Sequence, residues 1–165
     1  MSITKVQCIQ LQDKEKIDQE LSLLKEDNNE VHFVAFKYVA GKKDLIYLAE
    51  SGKAEAYEDI EKFLADEVCY ILWRVNGGDD SSVRTKFLFI QWVPETIKQV
   101  TRVLAGPHGE ALKSCLGYIH VTIQARNSDE INKDLVRDKI RAAGGARYDS
   151  NERFGQDVKV IEGQK

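Results

Sequence analysis

The stretch Ser81–Gly106, SSVRTKFLFIQWVPETIKQVTRVLAG, sets the architecture of this chain. Its Lys86–Trp92 segment, KFLFIQW, is apolar on both faces and reads as a strand buried from two sides. Pro94 follows at a position suited to a helix start, where its fixed φ and missing N–H cost nothing. Ile97, Val100 and Leu104 then recur at helical spacing and are expected to be the buried stripe. Lys98 and Arg102, four apart, fall together on the other side, while Arg84 and Lys86 alternate along the strand and leave it on one face. A strand and the helix after it thus share an outward, basic character, with no catalytic pattern beside them.

Working outward, VCYILWRV (Val68–Val75) is a second strand apolar on both faces, joined to the first by NGGDDSS (Asn76–Ser82), whose turn formers predict a hairpin loop. VHFVAFKYV (Val31–Val39) and LIYLAE (Leu45–Glu50) form an earlier strand pair around AGKKD. Helices are expected over Asp13–Asp27, with Ile17, Leu21 and Leu24 inward, and over Ala54–Asp66, with Tyr57, Ile60 and Leu64 on one face. Gly106 and Pro107 are expected to interrupt the helix after Pro94, which resumes over Gly109–Leu116. Tyr118–Ala125 is a fifth strand, Asn127–Glu130 a capping sequence, and a last helix turns Ile131, Leu135 and Ile140 inward before a left-handed cap at Gly144 or Gly145. Two strands apolar all round need cover on both sides. The expected fold is therefore α+β, one domain with a central mixed sheet of five or six strands and helices on both faces. Residues 1–151 would form it, with 152–165 a loose tail.

Composition narrows the function. The 165 residues are 42% hydrophobic and 31% charged, a globular balance, and the net charge of −3 disfavours a general nucleic-acid binder. Three widely spaced cysteines, Cys8, Cys69 and Cys115, do not read as a disulfide framework, and Cys69 and Cys115 sit among apolar residues as small buried hydrophobes. MSITKVQCIQLQDKEK lacks a signal-peptide core, and no stretch approaches the ~20 apolar residues of a membrane span. The reading expects a soluble cytoplasmic protein.

Chemistry is sparse. No phosphate-binding glycine motif is present; GGDD (Gly77–Asp80) reads as a turn rather than a metal loop, and AGPHGEALK follows a helix, not a strand. His32, His108 and His120 have no metal-ligand spacing; His32 and His120 are expected to be satisfied within strands, and a Cys115–His120 nucleophile pair is the weak remaining option. Neither enzyme, cofactor nor metal is expected. On the last helix Lys133, Arg137 and Arg141 share a face softened by Asp134 and Asp138.

RTKFLFIQWVPETI resembles the segment of actin-depolymerising-factor homology (ADF/cofilin) domains in which a strand ends at Trp and passes into a long helix. Within that family the chain looks like the coactosin-like proteins. SVRTKF (Ser82–Phe87) and AAGGARYD (Ala142–Asp149) are similar to that group's Ser-Lys-Arg-Ser-Lys-Phe and Lys-Ala-Gly-Gly-Ala-Asn-Tyr-Asp; Phe36–Tyr38 and Phe89–Trp92 also match, and the likeness runs from about Asp13 to Asn151. The resemblance implies binding along filamentous actin, in the cytoplasm and cytoskeleton, by a monomer that protects filaments rather than severing them. It places the family's filament-binding lysine at Lys86 and its neighbouring arginine at Arg84, with further family cations at Arg102, Lys113 and Arg141. Family lysines are replaced by Val83, Leu104 and Ala142, and Arg147 adds a charge. With Lys98 and Arg137 from the residue pattern, the expected actin-binding set is Lys86, Arg84, Arg102, Lys98, Lys113, Arg137 and Arg141. Arg84, Lys86, Lys98 and Arg102 are expected to be aimed at one acidic partner surface from a single rigid mount. The alternatives are a cofilin-like factor that binds monomers and severs, and a scaffold for other cytoskeletal proteins with weak actin affinity.

Overall fold

The architecture follows from two strands that the sequence makes apolar on both faces. In the computed structural model, which describes residues 2–26, 29–79 and 82–144, the chain runs β1 (Ile3–Val6), β2 (Ile9–Gln12), α1 (Lys14–Lys25), β3 (Phe33–Tyr38), β4 (Leu45–Gly52), α2 (Tyr57–Glu61), β5 (Cys69–Asp79), β6 (Ser82–Trp92), α3 (Gln99–Lys113), β7 (Val121–Ala125) and α4 (Lys133–Gly144). The strands form one mixed sheet in the order β1-β2-β4-β3-β5-β6-β7, with β2 parallel to β4 and β6 parallel to β7. β5 and β6 lie inside it, as their composition requires. Alternate residues feed two cores: Cys69, Ile71, Trp73, Val75, Leu88 and Ile90 pack under α2 and α4, whereas Tyr70, Leu72 and Phe89 pack under α1 and α3.

The α+β class and the two-sided helix cover are as expected; the sheet has seven strands rather than five or six. The difference is the N-terminal hairpin β1–β2. Its strands are four residues each, and its turn carries Gln7 at φ 54 rather than a glycine or asparagine, so no turn residue marks it. It matters to the core, because Ile9 and Leu11 are fully buried. The turn also braces α3: Gln7 Nε2 donates to Ser114 Oγ at 3.3 Å, and Cys8 Sγ to the Pro107 carbonyl at 3.7 Å.

Four local expectations are corrected. The loop Asn76–Ser82 is mostly strand, since Asn76 to Asp79 pair with Thr85 to Ser82; Asp80 and Ser81 lie outside the described residues. The second helix is short, Tyr57–Glu61, with Asp59 Oδ2 accepting the N–H groups of Glu55 and Ala56 at its start. Asn132, not the Asn127–Glu130 segment, caps α4, its Oδ1 accepting the Leu135 N–H at 2.9 Å. The long helix begins at Gln99 instead of Pro94 and runs without a break through Gly106 and Pro107. Its buried face is Ala105, His108, Gly109, Ala111 and Leu112, while Val100 is 58% exposed and Ile97 and Leu104 are only half-buried.

The helix keeps its course past the proline because it is tied to the sheet on both sides of it. Tyr70 Oη donates to the Ala105 carbonyl at 2.7 Å; Tyr38 Oη lies 3.1 Å from Tyr70 Oη and 2.7 Å from His108 Nδ1. Every contact in this row holds a proton only if His108 Nδ1–H donates to Tyr38, Tyr38 to Tyr70, and Tyr70 to the helix carbonyl. His108 carrying its proton on Nδ1 thus closes a buried chain, and burial pushes the Tyr38 hydroxyl up to about 12.

Candidate functional site: two docking surfaces

β5 and β6 outrun the rest of the sheet. β3 leaves β5 at Trp73 and β7 joins β6 only at Leu88, so Val75–Asp79 and Ser82–Lys86 pair only with each other as a projecting two-stranded ribbon. Lys86 stands at its base, opposite Val75. By strand alternation it leaves the sheet on the side of Leu88 and Ile90, the side covered by α2 and α4. Lys86 is half-buried, with no carboxylate in ion-pair range among the described residues. Arg84 occupies the ribbon opposite Gly77; its side chain lies outside the described part of the structure.

On the same side of the sheet, α4 presents Arg137, which pairs with Asp134 at 2.7 Å, and a half-buried Arg141. Lys133 reaches Glu58 at 3.4 Å. This face is basic but laced with acids, as its sequence indicates.

The second surface is the outward side of α3, on the opposite face of the sheet. Lys98 and Arg102 are exposed there beside Val100 and Val103, 58% and 64% exposed. Lys113, at the far end of α3, is held down: it pairs with Glu110 at 3.5 Å, and its ammonium sits 5.8 Å from the Phe89 ring centroid. The expected single mount is therefore divided. Lys86 belongs to one face, Lys98 and Arg102 to the other. Sequence reasoning missed the exposed valines by taking Val100 for core; the signal available was the run of small residues Ala105, Gly109 and Ala111, which marks the side that approaches the sheet.

The reactive side chains are accounted for otherwise. His120 Nδ1 accepts the Phe87 N–H at 2.9 Å and His32 Nδ1 the Ala54 N–H at 3.1 Å, each one residue before its strand. Cys115, half-buried rather than buried, points Sγ at the Ala111 carbonyl, 3.8 Å away, so the Cys115–His120 pair is not made. Burial pushes the Cys69 thiol up to about 12. Among the described residues no helix is long and apolar enough to cross a membrane.

Burial holds both His108 and His120 below the ordinary value of 6.5, with the Lys86 charge adding to the effect at His120. A histidine whose native pKa is lowered takes up its proton first in the unfolded chain. Its contribution to stability is whole above 6.5 and is lost as pH falls from there through the native value. The melting temperature is expected to drop between pH 7 and pH 5, and the drop to shrink in His108→Asn. An unchanged pH profile in that variant would show that His108 does not carry the effect.

The base of a two-stranded ribbon and the outward side of a long helix thus lie on opposite faces of one mixed sheet in an α+β fold. The chain belongs to the family of cofilin/tropomyosin-type actin-binding proteins, whose model matches residues 10–141. It is similar to coactosin of Dictyostelium discoideum, at 30% identity over 127 residues (76% of this chain, 85% of that one), and to coactosin of Entamoeba histolytica, at 31% over 134 residues (78% and 87%). In structure it is similar to human coactosin-like protein, with a TM-score of 0.70 at 25% identity, covering 87% of this chain and 95% of that one.

Proposed function

We propose that this protein binds the sides of actin filaments as a monomer and modulates their dynamics without catalysis, in the manner its likeness to coactosins suggests. The observation that supports the reading is the placement of cationic side chains on opposite faces of one sheet, Lys86 on one and Lys98 with Arg102 on the other. A free subunit can be held through one such face; a polymer presents neighbouring subunits, which suits a ligand with two. On the ribbon side the contact group is Lys86 with Arg84, supported by Arg137 and Arg141. On the α3 side it is Lys98 and Arg102 around Val100 and Val103, with Lys113 at the margin. Cations at these positions speed encounter with an acidic polymer and fix register, while the exposed valines supply desolvated contact. Association with the cytoskeleton in the cytoplasm follows from the same reading.

Filament co-sedimentation of Lys86→Ala tests it. Truncating a central charged contact costs about 2 kcal/mol, or roughly 30-fold in affinity. The loss should be larger at low salt than at high salt. Pelleting equal to that of the unaltered protein across a salt series would remove Lys86 from the contact. A parallel titration with monomeric actin separates filament preference from the cofilin-like alternative, which binds both forms.

A further inference from the structure

Beside the start of α3 lies a groove of about 610 Å³ that neither surface described above includes in full. Its lining includes the apolar side chains Ile97, Val100 and Leu104 and the cations Lys42, Lys43 and Lys98. The first two lysines come from the turn between β3 and β4, the third from the residue that precedes α3. All three are exposed, and none has a carboxylate in ion-pair range among the described residues. Backbone bonds shape the turn that carries Lys42 and Lys43: Gly41 takes φ 78, the Lys42 N–H donates to the Val39 carbonyl at 3.0 Å, and the Val39 N–H to the Leu45 carbonyl at 2.8 Å.

Two acids also line the groove, Asp66 and Glu67. Lys37 engages Glu67 at 2.9 Å, which leaves Asp66 alone against three lysines. The unpaired N–H groups at the start of α3 add positive potential at the same end. The groove therefore combines apolar side chains with an excess of cations. That chemistry suits an extended acidic segment with an apolar side chain among its carboxylates.

We propose that this groove takes an acidic, apolar-bearing segment of the same filament that docks on α3. The inference rests on the filament-binding reading. It assigns the segment to the filament because Val100 and Lys98 belong both to the groove and to the exposed face of α3, so one contact passes into the other without a gap. Lys42 and Lys43 become contact residues that no helix or ribbon pattern reveals.

The test is filament co-sedimentation of the double variant Lys42→Glu/Lys43→Glu, with folding verified by circular dichroism. Filament affinity is expected to fall about tenfold at low salt, with a flatter salt dependence. Lys42→Arg/Lys43→Arg is expected to bind as the unaltered protein does. A second reversal, Lys5→Glu/Lys16→Glu, makes the same change of net charge at exposed positions outside the groove and is expected to shift affinity by no more than about twofold. If both reversals weaken binding equally, net charge alone is responsible and the groove assignment is overturned. If the groove variant pellets normally while Lys86→Ala does not, the groove assignment is again overturned and filament binding stands. If neither variant loses affinity, the groove and Lys86 both drop out of the contact; the filament reading itself fails only if the unaltered protein does not pellet with filaments.

Discussion

Gly109→Val is expected to destabilise the fold by about 3 kcal/mol or more, the upper end of what overpacking costs. α3 approaches the sheet so closely at this point that a β-carbon on residue 109 would overlap Gln91 Oε1. It would also stand 2.9 Å from Gln91 Cδ and 3.1 Å from Tyr70 Cε1. Tyr70 does not yield easily, because the hydrogen bond from its hydroxyl to the Ala105 carbonyl at 2.7 Å fixes it, and the Gln91 side chain, 5% exposed beneath the helix, must turn aside. Valine adds two methyl groups at this contact and loses rotamer freedom in a helix. Alanine at the same site meets the Gln91 clash but gains about 1 kcal/mol of helix propensity over glycine, so Gly109→Ala should cost less. Gly106, one turn earlier, is the internal comparison: a β-carbon there meets nothing within 4 Å, and Gly106→Ala should be neutral or stabilising by up to about 1 kcal/mol. Thermal and urea melts of the three variants check the ordering. A Gly109→Val melt that overlays the unaltered protein would mean that α3 does not sit this close to the sheet. Trimming the obstacle supplies a second check. Gly109→Ala should be tolerated better in a Gln91→Ala background than its cost in the unaltered protein predicts, because the two residues are in contact.

The same helix shows where sequence reading succeeds and where it stops. KFLFIQW and VCYILWRV were legible as two-sided strands because their apolar runs are short, rich in β-branched and aromatic residues, and bounded by polar turns. That alone demanded helices on both faces of the sheet. The orientation of α3 was not legible. Val100 and Leu104 are more hydrophobic than Ala105 or Gly109, and a periodicity argument turns the larger residues inward. The structure turns the small ones inward, because close approach to the sheet is rewarded by the hydrogen bond from Tyr70 and the His108–Tyr38 contact. Polar side chains beneath a helix cannot be anticipated from hydropathy. Pro107 misled for a related reason: its cost to the helix is local, whereas the ties that hold the helix straight come from distant strands. Among the candidate site residues, strand alternation carried Lys86 to an outward position, and helical spacing kept Lys98 and Arg102 together. Which face of the sheet each group occupies depended on the crossover from β6 through α3 to β7, and residue spacing says nothing about that.

The N-terminal hairpin is the other element the sequence concealed, and Ile9→Ala combined with Leu11→Ala is expected to cost about 4 kcal/mol or more. Both side chains are 0% exposed and belong to the core that contains Ile17, Leu21 and Ile46. Single truncations of fully buried aliphatic residues cost about 2–5 kcal/mol each; the pair should fall short of strict additivity, because both line the same face of one short strand and would share a cavity. β2 owes its place to parallel pairing with β4, Gln10 opposite Leu45 and Leu11 opposite Ile46. β1 depends in turn on β2 and forms the outer edge of the sheet. Ile3, at 47% exposed, contributes little there, and Ile3→Ala should cost less than about 1 kcal/mol. The family match begins at residue 10, within β2. Because the turn bonds to Ser114 and Pro107, loosening the hairpin should also raise amide hydrogen exchange in the second half of α3. Urea denaturation of the double variant, with exchange measured on α3, tests both links. A denaturation midpoint equal to that of the unaltered protein would remove β2 from the core, whereas a lowered midpoint with unchanged exchange in α3 would leave the hairpin a source of stability but not a brace for the helix.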